Sequence, residues 1–342
     1  MMKLHKRRLF AAIAVAGACF GLVSAAGAQD RPTVSLGLPG IPPVFVNVQP
    51  LVAQQEKLFE KYGVNVTLRP FDTGAAAARA VVAGDLDLSI TPTALLPTMI
   101  SNANVDLVAI YGYEKPTWRI ASTDPNAKCE DLKGQPVAVD TPGGARSIAL
   151  NQMLRACKLS AEDTQQVGMS SNGAAALIAG QIKHAVLHLD EVPVVEREAG
   201  KKINLVVVLA DVSPINHYTA LLATRKNVEA KRAALVGVIA ALIEAIEFMA
   251  DPANADRVAK AAEPTGRKPD DAKRALDGYV KMDFWPRNSH GLPQKNIDAV
   301  VEVQKRIGSI KPDSTTPVNY ERLVNTSLYE EAVKLVAAKK RS

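Results

Sequence analysis

Apolar and polar positions alternate from the start of the readable pattern. From Thr33 to Leu38, Val34, Leu36 and Leu38 fall on one face, the period-two signature of a half-buried strand. A stiff loop of Pro39, Gly40, Ile41, Pro42 and Pro43 follows. From Leu51 to Tyr62 the period changes: Leu51, Val52, Leu58, Phe59 and Tyr62 make one helical stripe, closed by Gly63. Strand-like segments recur at Val64–Leu68, Leu86–Ile90 and Val105–Tyr111, with a helix over Ala75–Ala83 stopped by Gly84. Such alternation predicts an α/β protein with parallel sheets made of βαβ units.

A similar set begins near Trp118. Strands are predicted at Val137–Val139, Gln166–Met169, Ala185–Leu189 and Leu205–Leu209, and helices at Ser147–Cys157 and Gly173–Ala179. The two sets echo each other: A-G-D-L-D at Ala83–Asp87 answers A-G-Q-I-K at Ala179–Lys183. A last strand-like segment spans Tyr218–Ala223. From Val228 onward the pattern is almost wholly helical, broken near Asp251-Pro252, Glu263-Pro264 and Trp285–Pro293.

The first 28 residues read differently. Lys3, Lys6, Arg7 and Arg8 precede an apolar run from Leu9 to about Val23, and Ala26-Gly27-Ala28 supplies small residues for cleavage. This predicts a secretory signal cut after Ala28, hence a periplasmic protein. Arg7-Arg8-Leu9-Phe10 keeps twin-arginine export open beside the Sec route. Cys19 makes a poor lipidation site, and no span or anchor is expected; Ala233–Ile243 is apolar, but Glu244 and Glu247 follow it. Without the signal, 37 basic residues face 35 acidic ones, so the net charge of +6 owes much to the leader and nothing asks for nucleic acid. The remaining length suits two domains. Cys129 and Cys157 survive cleavage, and an oxidising compartment favours a disulfide between them. Cys129 lies just before a strand and Cys157 ends the next helix, a placement that brings them together; two separate buried thiols are the alternative.

Q-E-K-L-F-E-K-Y-G-V at Gln55–Val64, A-G-D-L-D at Ala83–Asp87, D-L-K-G-Q-P-V-A-V at Asp131–Val139 and A-G-Q-I-K-H-A-V at Ala179–Val186 occur in that order. Together they resemble the periplasmic solute-binding proteins of the nitrate/sulfonate/taurine type, the NMT1/THI5-like group that includes binders of thiamine-pyrimidine precursors. The resemblance implies a two-lobed periplasmic binding protein fold (type II) with two crossing strands as a hinge and a helical C-terminal region. Residues 31–117 plus 220–342 would form lobe one, and 118–219 lobe two. Lys183 stands where that group usually has Asp.

In open α/β sheets, ligands bind beyond the carboxyl ends of strands, where loops lead into helix N-termini. The candidate contacts follow from that rule. In lobe one they are Gly40, Ile41, Pro42 and Phe45, then Thr73 with Gly74, and Thr91 with Thr93 around a proline. In lobe two they are Gly143, Gly144, Arg146 and Ser147, then Asn172, His188 and Asp190. Tyr111 and Tyr218 lie near the crossings, with Trp118 and His217 nearby. Each has a plainer structural role open to it: caps for the threonines, a salt bridge for Arg146, a lobe-to-lobe staple for His188 and Asp190, packing for the aromatics. Arg146 could grip a carboxylate or sulfonate with two hydrogen bonds. No metal or cofactor is expected, since no cysteine cluster occurs and the ligands would have to be gathered from distant loops.

The expected role is the substrate-binding component of an ABC importer. It would hold a small organic anion between the lobes and deliver it, as a monomer, to a permease with its ATPase. A periplasmic sensor is one alternative. An enzyme on the same fold, desulfinase-like or pyrimidine-related, is another; with no G-x-S-x-G and with cysteines expected to pair, it is the weaker reading.

Overall fold

The computed structural model describes residues 31–113, 116–170, 172–213 and 218–341. The expected signal, the Arg7-Arg8 pair, Cys19 and His217 lie outside them. The described residues form ten strands: β1 (Thr33–Pro39), β2 (Asn65–Phe71), β3 (Leu88–Pro92), β4 (Leu107–Tyr113), β5 (Arg119–Ser122), β6 (Pro136–Val139), β7 (Gln165–Gly168), β8 (His184–Leu187), β9 (Asn204–Val208) and β10 (Thr219–Thr224). They make two five-stranded sheets, ordered β2-β1-β3-β10-β4 and β7-β6-β8-β5-β9. The two orders are the same pattern, and A-G-D-L-D and A-G-Q-I-K enter the equivalent strands β3 and β8. The echo in the sequence is therefore an echo in topology.

Neither sheet is wholly parallel, contrary to the expectation from alternation. β10 runs antiparallel to β3 and β4, and β5 runs antiparallel to β8 and β9. Each is the first strand after the chain passes from one sheet to the other. A βαβ unit parallels its strands because the helix carries the chain back to the starting end. A direct crossing has no such return. The strand β5 itself escapes the periodicity reading.

The predicted helix Leu51–Tyr62 is two helices, Val48–Gln55 and Leu58–Lys61, divided at Lys57 with φ 56°. No glycine or proline marks that break. Gly63 and Gly84 do sit in the left-handed region at helix ends, as expected. Strand β3 starts two residues later than its apolar run. The Asp87 carboxylate accepts from the Ser35 N–H (2.9 Å) and hydroxyl (3.0 Å), holding the entry as a turn, and pairs with Lys231 (2.7 Å).

We call the first sheet with its helices lobe one, and the second lobe two. The helix Arg232–Ala250 is long and apolar enough to cross a membrane, yet 72% of its apolar window is buried against neighbouring helices. Gln49 donates to Leu242 O at its centre (2.9 Å), and Lys61 and Tyr62 hold Glu244 on its flank. Cys129 and Cys157 are joined, with Cα atoms 5.2 Å apart, tying the end of the helix Ala145–Ala156 to the turn before β6.

Candidate functional site

A cleft of about 390 Å³ lies between the carboxyl ends of the two sheets. Lobe one contributes Pro39, Gly40, Val44, Asp72, Thr73, Gly74, Pro92 and Thr219. Lobe two contributes Trp118, Asp140, Ala145, Arg146, Ser170 and His188, and Tyr218 stands at the crossing. Of the candidate contacts, Gly40, Thr73, Gly74, Arg146, His188 and Tyr218 are thus brought together.

Lobe one presents mainly backbone. Gly40 has φ 96°, and a Cβ there would meet Pro42 O at 2.7 Å, so only glycine fits. Thr73 caps the helix Gly74–Ala83, its Oγ1 accepting from Ala76 N (3.1 Å). The first-turn N–H groups of Gly74 and Ala75 have no partner among the described residues. A Cβ on Gly74 would lie 2.7 Å from Pro92 Cδ and 2.9 Å from Ile90 O, so the helix end presses against β3. The Thr219 hydroxyl is buried and also unpartnered among the described residues.

Lobe two presents charge, already committed. Arg146 is 2% exposed; its guanidinium donates to both Glu191 oxygens (2.8 and 3.1 Å) and to Val186 O (2.5 Å), and lies over the Trp118 ring. Burial disfavours its charge, but Glu191 more than offsets this and its pKa is raised. Asp140 occupies the N-terminus of the helix Ala145–Ala156, accepting from Thr141 N (2.9 Å) and Ser147 N (3.4 Å). A Cβ on Gly144 would strike its carboxylate, so that glycine makes room for Asp140. Burial holds the Asp140 carboxyl above its ordinary pKa despite those N–H groups. No ion pair to Asp140 forms among the described residues.

His188 joins the lobes' aromatic groups. Its ring lies 3.5 Å from that of Trp118, its Nδ1 is 3.1 Å from Thr117 Oγ1, and its Nε2 is 3.4 Å from the Tyr218 hydroxyl. Burial, with Arg146, Arg267 and Arg119 around it, keeps its pKa well below the usual imidazole value. Burial also keeps the Tyr218 phenol protonated.

The other predicted contacts sit elsewhere. Ile41 is 50% exposed, and Pro42 and Thr93 do not line the cleft. Phe45 stacks on Tyr279 in the core. Thr91 binds Gly74 O (3.1 Å) and Ser89 (2.9 Å), and Tyr111 donates to Pro286 O (3.2 Å). Gly143 and Gly144 shape the loop. Ser147 accepts from Gly143 N and donates to Gln166 (2.6 Å). Asn172 is exposed and precedes a helix without capping it by its side chain. Asp190 is a staple: its carboxylate takes Arg267 (2.5 Å) and the Tyr279 hydroxyl (2.5 Å), both from the C-terminal helical region. Trp285 is a packing anchor, donating to Val46 O (3.1 Å). Asp140 and Thr219 were missed, although Asp140 directly follows β6, the position the strand-end rule singles out. Among the described residues no group of three histidines, cysteines or carboxylates could hold a metal.

Residues 29–263 match the NMT1-like family, the match starting just after the expected cleavage point. No curated protein matches the chain. Among solved structures, a protein of Bordetella bronchiseptica RB50 aligns with a TM-score of 0.75 at 20% identity, over 89% of this chain and 98% of that one. The periplasmic nitrate-binding protein NrtA of Synechocystis PCC 6803 aligns with a TM-score of 0.73 at 13% identity, over 91% of each chain. The alkanesulfonate-binding protein SsuA of Xanthomonas axonopodis pv. citri, bound to MOPS, aligns with a TM-score of 0.66 at 18% identity, over 84% of this chain and 98% of that one. At these identities the likeness shows the fold. The chain belongs to the NMT1-like family, and its fold is that of the periplasmic binding proteins.

Proposed function

We propose that this protein is the periplasmic substrate-binding component of an ABC importer, and that its solute bridges the two lobes. The observation that carries this reading is the polarity across the cleft. On lobe one, the unpartnered Gly74 and Ala75 N–H groups sit at the positive end of a helix, which suits an acceptor group such as a carboxylate or sulfonate. On lobe two, Asp140 offers a carboxylate with no ion pair among the described residues, the nearby Arg146 being bound to Glu191, which suits an N–H or ammonium donor. An anion is thus expected at Gly74 rather than at Arg146, whose charge Glu191 already neutralises. The solute is small, with both an acid group and a donor group.

A ligand drives closure only by binding the two lobes together better than either alone. Delivery to a permease with its ATPase belongs to this reading, as do removal of residues 1–28 on export and a monomeric state. A cysteine nucleophile does not, because Cys129 and Cys157 are bonded to each other and neither lines the cleft. A thermal-shift screen of residues 29–342 against nitrate, alkanesulfonates, aminoalkanesulfonates, amino acids, aromatic acids and pyrimidines tests it. The reading expects aminoalkanesulfonates or amino acids to raise the midpoint. Stabilisation only by nitrate or simple sulfonates would remove Asp140 from recognition, and turnover of any hit would restore the enzyme.

A further inference from the structure

The lobes meet a second time, away from the cleft. The helix Ala145–Ala156 runs from Ala145 at the cleft to Arg155 ten residues on, roughly 15 Å along the axis at 1.5 Å per residue. There a groove of about 780 Å³ opens between the lobes. Lobe two lines it with Gln152, Arg155 and Ser213, and lobe one with Val300, Gln304 and Arg306 of the helix Gln294–Arg306. No carboxylate lines it among the described residues, and neither arginine has an ion pair or side-chain hydrogen bond there. Desolvation in the groove and the facing Arg306 both disfavour the Arg155 charge.

Each arginine lies in the last turn of its helix, where a cation compensates the dipole. Dipole compensation would be served equally by side chains turned apart. Here two exposed arginines from different lobes line one groove with no ion pair for either among the described residues, so an anion held by both would join the lobes.

We propose that this groove is a second binding site, for a small multivalent oxyanion held between Arg155 and Arg306. Guanidinium groups match such anions by paired hydrogen bonds. An anion bound to both arginines favours the closed arrangement of the lobes, independently of the solute in the cleft.

Inorganic phosphate is the probe, compared with sodium chloride at equal ionic strength on residues 29–342. Phosphate strengthens any fold by exclusion, so the readout is the difference between wild type and Arg155→Ala/Arg306→Ala. At phosphate tenfold above half-saturation, the wild-type midpoint should rise by about 2–4 °C more than that of the double variant, and saturably. Arg79→Ala, at an exposed arginine in lobe one, should behave as wild type. Line broadening of the phosphorus resonance on adding protein gives a reading that does not depend on stability; the double variant should abolish it. If wild type and double variant respond alike in both measurements, the site does not exist. Phosphate at the Gly74 end of the cleft would survive the double substitution, so that result too would overturn this inference while leaving the cleft reading intact.

Discussion

The two lobes share a strand order but meet the cleft with opposite chemistry. After β1 and β2, lobe one offers a glycine turn at Gly40 and an open helix end at Gly74. After β6, the equivalent of β1, and β8, the equivalent of β3, lobe two offers the half-buried Asp140 and the buried Arg146 and His188. Duplicated topology therefore fixes where a ligand can sit but not what each side says to it. Lobe one's face is mainly backbone, with no room for a Cβ at Gly40 or Gly74; lobe two's is side chains, Arg146 and His188 among them buried, where one change costs much.

The largest way to break that contrast is at Glu191. Glu191→Ala should destabilise by about 3–5 kcal/mol, because it strands Arg146 as an uncompensated buried charge. Urea titration would measure it, and Arg146→Met with Glu191→Leu together should recover most of the loss. A cost under about 1 kcal/mol for the single change would mean that water reaches the pair. Next in size, Cys129→Ser with Cys157→Ser should cost about 2–4 kcal/mol by freeing a loop with sequence separation 28 in the unfolded chain. Lobe one has no such bond among the described residues, so limited proteolysis of the variant should cut lobe two first. Thr73→Ala, in lobe one, should cost only about 1 kcal/mol as a lost cap; a much larger loss in the same titration would show that Thr73 does more.

The smallest effect expected is on pH. His188 has a folded pKa depressed below its unfolded value, so its contribution to stability is fully present above about pH 6.5. It is lost as pH falls toward the folded value, because the unfolded state takes up the proton first. His188→Gln should therefore lose less stability than wild type between pH 7 and pH 5, measured by melting without solute. Parallel losses would show that His188 is solvated. Asp140 has the opposite sign. Its raised folded pKa makes the ionised carboxylate a cost near neutrality, so Asp140→Asn should raise the melting midpoint of the free protein.

Much of the fold could be read from the chain because the signals were local. Alternation marked β1, and Gly63, Gly84 and Gly180 ended helices as left-handed caps. The break at Lys57 and the antiparallel β5 and β10 could not be read, since tertiary crossings impose them. Gly40, Thr73, Gly74, Arg146, His188 and Tyr218 line the cleft, a placement the sequence could suggest because strand ends leading into glycine or hydroxyl-rich turns are a positional signal. The commitment of Arg146 to Glu191 was hidden: the partners are 45 residues apart, and nothing in either neighbourhood announces the other. Asp190, read as a contact or a staple, is a staple because Arg267 and Tyr279 reach it from the far end of the chain.

The central claim is that the solute joins an acid group at Gly74 to a donor group at Asp140. Calorimetric titration of wild type and Asp140→Asn with 2-aminoethanesulfonate and ethanesulfonate, and with 4-aminobutanoate and butanoate, tests it directly. In at least one pair, the amino compound should bind wild type at least about 10-fold more tightly than its amine-free analogue, since a hydrogen bond to a charged group contributes roughly 1.5–3 kcal/mol. Asp140→Asn should erase that preference. Equal binding of both members of each pair to wild type, or a preference that survives Asp140→Asn, would contradict the account.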